Sequence, residues 1–136
     1  MGGVVVSDET LELTSSEDVI RVRQRVRALA GDMGFRLVDQ TKLVTAVSEL
    51  ARNMVEFGGG GSVLIEAIRN DTKQGVRLTF EDHGPGIPDI ELALKDGYST
   101  GGGLGLGLGG SRRLVNEFHI DSQVGKGTRV SITRWR

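Results

Sequence analysis

Ser62-Val-Leu-Ile-Glu-Ala-Ile-Arg69 and Gly75-Val-Arg-Leu-Thr-Phe-Glu-Asp82, separated by Asn70-Asp-Thr-Lys-Gln74, decide the fold class. Both runs are dense in strand-forming apolar residues and bounded by turn formers, so both read as strands. The polar spacer is too short for a helical crossover, and the two strands therefore pair as an antiparallel hairpin.

Upstream, Gly58-Gly-Gly-Gly61 reads as a flexible connector that stops a helix. That helix runs from a cap at Asp39 to about Phe57, with Leu43, Ala46, Val47, Leu50, Met54 and Phe57 as its buried stripe. An earlier helix starts at Ser15, with Asp18 in the capping-box position, and ends at Gly34. Its stripe is Val19, Val22, Val26, Leu29, Ala30 and Met33. Arg21, Arg23, Arg25 and Arg27 occupy the remainder, either as a solvated face or as a docking surface for an acidic partner. Val4-Val-Val6 and Thr10-Leu-Glu-Leu-Thr14 form a first strand region.

Downstream, Asp82-His-Gly-Pro-Gly-Ile-Pro88 is a tight turn, and Asp89 to Lys95 a short helix. Asp96-Gly-Tyr-Ser-Thr100 leads into Gly101-Gly-Gly-Leu-Gly-Leu-Gly-Leu-Gly-Gly110, where seven of ten residues are glycine. Leu104, Leu108, Leu114, Val115 and Phe118 keep three- and four-residue spacings, which extends a helix as far as Phe118. Each glycine inside such a helix costs about 1 kcal/mol against alanine, so something there requires bare backbone. A phosphate chain is the natural candidate. Ile120, Ser122 and Val124 then alternate into the turn Gly125-Lys-Gly127, and Thr128 to Trp135 is the last strand, with Trp135 packing at its end. The order of elements predicts an α+β fold: a mixed, largely antiparallel sheet with helices on one face. The opposite face must be shielded by polar residues or by a partner.

At 136 residues the chain is expected to be a single domain, 1–136, with a proper core. The absence of cysteine excludes disulfides, thiolate metal sites and cysteine nucleophiles. A net charge of −1 gives no argument for nucleic acid or membrane binding. No apolar run approaches the roughly 18 residues of a spanning helix, and no basic-then-apolar leader is present, so the expected location is cytoplasmic. Met1-Gly2 lacks the Ser or Thr that myristoylation requires at position 6, which is Val6.

Two nucleotide motifs fail. Gly105-x-Gly107-x-x-Gly110 has dinucleotide spacing but does not follow a strand, and Gly125-Lys-Gly-Thr128 lacks the Ser or Thr that must follow a Walker lysine. Three other groups carry more chemistry. Glu49 and Asn53, at i and i+4, share one helix face outside the apolar stripe; a carboxylate can take a proton and an amide oxygen suits Mg²⁺. Asp82 ends a strand before Gly84-Pro-Gly86, where a carboxylate can accept from an exocyclic amine and glycines admit a flat ring. Gly125-x-Gly127-Thr128 opens the last strand and adds a hydroxyl. Taken singly, a surface helix face, an Asp-initiated turn and a hairpin turn account for the three equally well.

Together, Glu49-Leu-Ala-Arg-Asn53, Asp82-His-Gly-Pro-Gly86, Gly103-Leu-Gly-Leu-Gly107 and Gly125-Lys-Gly-Thr128 resemble the four boxes of the GHKL ATPase superfamily, in its order. Val38 to Asn53 and Glu81 to Ile90 resemble the RsbT-type serine/threonine switch-protein kinases within it, over about Leu11 to Trp135. The resemblance implies a Bergerat-type α/β sandwich and Mg-ATP. It implies that Asp82 binds the adenine amine, with Thr128 assisting, and that Gly84, Gly86 and Ile87 line the adenine site. Asn53 would hold Mg²⁺, and Gly103, Leu104, Gly105, Leu106 and Gly107 would wrap the β- and γ-phosphates. Glu49 would be the catalytic base toward a Ser or Thr hydroxyl, and Arg52 is placed either to steady a phosphate or simply at the surface. The implied partners are STAS-domain substrate and scaffold proteins of a stressosome-like complex, then a downstream phosphatase or cyclase. The alternative is an anti-sigma factor binding module that uses nucleotide as a switch.

Overall fold

The computed structural model describes residues 4–94 and 108–136. In chain order the elements are β1 (Val4–Leu13), α1 (Ser16–Asp32), α2 (Leu37–Phe57), β2 (Gly61–Asn70), β3 (Lys73–Asp82), α3 (Ile90–Ala93), α4 (Leu108–Arg113), β4 (Glu117–Gln123) and β5 (Gly127–Trp135). The strands form one sheet in the order β1-β2-β3-β5-β4. All four pairings are antiparallel, so the largely antiparallel sheet expected is antiparallel throughout. The β4–β5 hairpin enters with its second strand inward, which sets β5 against β3 and leaves β4 at the edge.

Alternation along the strands divides the sheet into two faces. Val63, Ile65, Val76, Leu78, Phe80, Val130 and Ile132 meet Val22, Val26, Ala30, Leu43, Val47, Leu50 and Met54 of α1 and α2 in one buried cluster. The other face carries Glu66, Arg77, Thr79, Glu117, His119, Asp121, Arg129 and Ser131 around an open depression. Polar side chains therefore cover it, with Arg77 paired to Glu66 at 2.9 Å. Trp135 packs on this side over Gly75, where a Cβ would lie 2.7 Å from its ring, and its Nε1 donates to Glu117 at 3.1 Å.

The two helices begin in different ways. Ser15 caps α1 as its sequence indicates, its Oγ accepting from the Asp18 N–H at 3.2 Å. The Asp18 carboxylate reaches back to the N–H and hydroxyl of Thr14, each at 3.0 Å, one residue earlier than an ordinary capping box. Gly34, at φ +83°, turns the chain after α1. α2 departs from expectation: it starts at Leu37, and Asp39 lies in its first turn instead of capping it. The Asp39 carboxylate is taken by Arg134 at 2.6 Å and Arg36 at 3.2 Å, so a tertiary ion pair displaces the capping role.

Three other boundaries are corrected. The β2–β3 turn is only Asp71-Thr72, because the ladder continues to Asn70 opposite Lys73, and Asp71 adopts φ +48°. Gly61 is a strand residue paired with Asp82, so the four glycines are not merely a connector. The helix expected to reach Phe118 ends at Arg113, and Phe118 pairs with Ile132 in the sheet. Backbone pairing with β5 outweighs the helical spacing of Leu114, Val115 and Phe118. Lys95 to Gly107, and with them the expected lead-in and most of the glycine stretch, lie outside the described residues. Among the described residues, no helix is long and apolar enough to cross a membrane.

The carboxyls of Asp18 and Asp39 are both held below the ordinary aspartate range, Asp18 chiefly by the Thr14 N–H and Asp39 chiefly by the Arg134 hydrogen bond. A depressed folded-state value means stability that is fully present above the unfolded value near pH 3.9 and lost as pH falls through the folded one. Asp39→Asn should therefore lower the melting temperature at pH 7, with the gap to the parent chain closing as pH falls below the unfolded value. Thermal melts across this range check it.

Candidate functional site

One cleft lies where α2, the end of β3 and the start of β5 converge. Leu50, Met54, Phe57, Phe80, Ile87, Leu108 and Val130 give it apolar walls, while Asn53, Asp82 and Thr128 supply the polar groups. An apolar cleft with a few convergent polar groups suits a flat heteroaromatic ligand. Apart from Ile87, the apolar wall residues were legible in the sequence only as core.

Asp82 is the fixed point of the cleft. As the last residue of β3 it is 9% exposed. Its Oδ1 accepts the backbone N–H of Gly84 at 2.9 Å and of Thr128 at 3.2 Å. The hydrogen bonds of the described residues thus fall on one oxygen. Oδ2 lies against Gly58, where a Cβ would sit 2.5 Å from it. Gly58 is required by this approach, and a Cβ on Gly84 would in turn meet the Gly58 carbonyl at 2.4 Å.

The turn after β3 is tied to the β4–β5 hairpin. Pro85 O accepts from the Gly125 N–H at 2.9 Å, and the Ile87 N–H donates to Ser122 Oγ at 2.8 Å. Gly86, at φ +80°, passes against the Gln123 carbonyl. Ser122 also meets Thr128 Oγ1 at 2.8 Å and the Gly127 carbonyl at 3.2 Å. Sequence reasoning missed Ser122. The available signal was a polar residue at the third inward position of the strand that carries Phe118 and Ile120.

Asn53 lines the cleft from α2, and Glu49 lies one helical turn before it. Glu49 is not part of the cleft wall; its Oε1 pairs with Arg52 at 2.7 Å, with both side chains partly exposed. Arg52 thus meets a carboxylate of its own helix. Of the residues the resemblance assigns to the site, Asn53, Asp82, Gly86, Ile87 and Thr128 line one cleft, with Gly84 behind Asp82 and Glu49 beyond Asn53. Gly103, Leu104, Gly105, Leu106 and Gly107 lie outside the described residues.

Residues 38–135 match the family model described as histidine kinase-, DNA gyrase B-, and HSP90-like ATPase. The serine/threonine-protein kinase RsbT of Bacillus subtilis is 45% identical over 118 residues, covering 87% of this chain and 89% of that one. An anti-sigma F factor of Geobacillus kaustophilus is 32% identical, covering 88% of this chain and 85% of its own. A crystal structure of RsbU and RsbW domains from Mycobacterium tuberculosis shares the fold at a TM-score of 0.62 and 21% identity, over 96% of this chain and 33% of that one.

Two glycines separate close approach from mere helix geometry. Gly58→Ala should destabilise by about 1–3 kcal/mol, because its methyl group collides with the Asp82 carboxylate. Gly110→Ala, in α4 with no described residue within 4 Å of the added carbon, should stabilise by up to about 1 kcal/mol. Denaturant unfolding of the two variants reads both.

Proposed function

The chain belongs to the histidine kinase-, DNA gyrase B-, and HSP90-like ATPase family, and from that premise we propose that it is a Mg-ATP-dependent protein serine/threonine kinase. Its substrates are STAS-domain proteins of a stressosome-like complex, after which it binds and activates a downstream phosphatase or cyclase. It works in the cytoplasm. The observation that carries the reading is the Asp82 carboxylate, pinned through one oxygen at the wall of an apolar cleft. A buried acceptor with spare capacity requires a donor, and the exocyclic amine of adenine is one. The 45% identity to a serine/threonine-protein kinase, with both chains covered nearly throughout, supports the activity.

The residues present fit the nucleotide and its metal. Gly84, Gly86 and Ile87 keep the cleft flat beside Asp82, and Thr128 adds a hydroxyl. Asn53 offers one amide oxygen to Mg²⁺. Mg²⁺ can take its remaining ligands from phosphates and water. Gly103 to Gly107 supply backbone N–H groups to the phosphates. Bound Mg-ATP provides the phosphoryl group that is transferred. Glu49, a helical turn from Asn53 and partly exposed, takes the proton of the incoming Ser or Thr hydroxyl. Arg52 holds one oxygen of that carboxylate and fixes its direction.

The similarity to anti-sigma F factors favours a second reading, in which the chain sequesters a sigma factor and nucleotide sets the affinity. A pull-down separates the two: retention of a STAS protein supports the kinase, and retention of a sigma factor alone overturns it. Glu49→Ala should reduce transfer from labelled ATP to a STAS partner by at least about 100-fold with nucleotide affinity unchanged. Asp82→Asn should weaken nucleotide binding by about tenfold or more. Normal phosphorylation by the first variant, or normal binding by the second, removes that residue from its role.

A further inference from the structure

We propose that Ser122 is a positioning residue that sets the base preference of the cleft by fixing the hydroxyl hydrogen of Thr128; this rests on the cleft holding an adenine nucleotide. A serine hydroxyl has one hydrogen and two lone pairs. Three groups surround Ser122 Oγ: the Ile87 N–H at 2.8 Å, the Gly127 carbonyl at 3.2 Å and Thr128 Oγ1 at 2.8 Å. The N–H can only donate, so it takes one lone pair. The carbonyl can only accept, so it takes the hydrogen. What remains for Thr128 is the second lone pair, and Thr128 must donate to it. This is the one arrangement that makes all three bonds.

The consequence appears on the cleft side. With its hydrogen spent on Ser122, the Thr128 hydroxyl presents only lone pairs to the cleft it lines. Asp82 Oδ1 is filled by two N–H groups, and Oδ2 is likewise an acceptor. The polar wall formed by these two residues therefore offers acceptors and no donor. At the 6-position, a 6-amino purine presents donors to it, whereas a 6-oxo purine sets an acceptor against acceptors. Without Ser122, the Thr128 hydrogen is released, can turn into the cleft and can accommodate the 6-oxo group. A serine distant from the phosphates thereby acts on which base is chosen, not on how phosphate is transferred.

Equilibrium titration of the full chain with ATP and with ITP tests this. The parent chain should prefer ATP by about 100-fold, and Ser122→Ala should narrow that ratio about tenfold while remaining cooperatively folded in a thermal melt. Adding Thr128→Val to Ser122→Ala removes the released donor and should weaken ITP binding again. A general loosening of the turn would weaken both nucleotides together and leave the ratio unchanged. Parent chain that binds neither nucleotide overturns the adenine reading itself. Parent chain that prefers ATP, with the ratio intact in Ser122→Ala, overturns only the role of Ser122. Should the alanine variant not fold, Ser122→Cys, which keeps the volume but is a weak donor and acceptor, is read by the same ratio.

Discussion

The bond pair on Asp82 Oδ1 is the constraint on which the site depends. One carboxylate oxygen gathers the N–H of Gly84, two residues on, and that of Thr128, across the sheet at the start of β5. Those two bonds fix the exit of β3, the turn that follows it and the entry of β5 relative to one another. They also offset the cost of burying the charge, which an unpaired carboxylate could not bear. The second oxygen is placed against Gly58, so the glycine at that position is a requirement of this carboxylate.

The residues proposed for recognition and those proposed for chemistry come from different layers of the fold. The groups proposed to read the base, Asp82 and Thr128, stand at strand ends, where backbone pairing holds them. Glu49 and Asn53 come from α2, and only the helical repeat brings them to one side. The orientation of α2 is secured at its other end, where Asp39 meets Arg134 of β5 at 2.6 Å. Helix and sheet are thus linked by an ion pair at one end and enclose the cleft at the other.

Local rules were enough where partners are close in sequence. Ser15 and Asp18 announce the start of α1, and the short spacer between β2 and β3 dictates an antiparallel hairpin. They failed where the deciding partner is remote. Asp39 looks like a cap until Arg134, far along the chain, claims it. Gly58 to Gly61 look like a connector until β3 returns and places a carboxylate beside them. Phe118 fits a helix by spacing and a strand by alternation, and only the arrival of β5 decides. The candidate site was legible through its resemblance to a known set of motifs, whereas Ser122 belongs to no motif and emerges only from three contacts.

The most direct test is a crystal structure of the full chain with a non-hydrolysable ATP analogue and Mg²⁺. The account predicts the adenine between Met54, Phe80 and Val130, its amine within hydrogen-bonding distance of Asp82 Oδ2. A base bound elsewhere, or an amine turned away from Asp82, would contradict it.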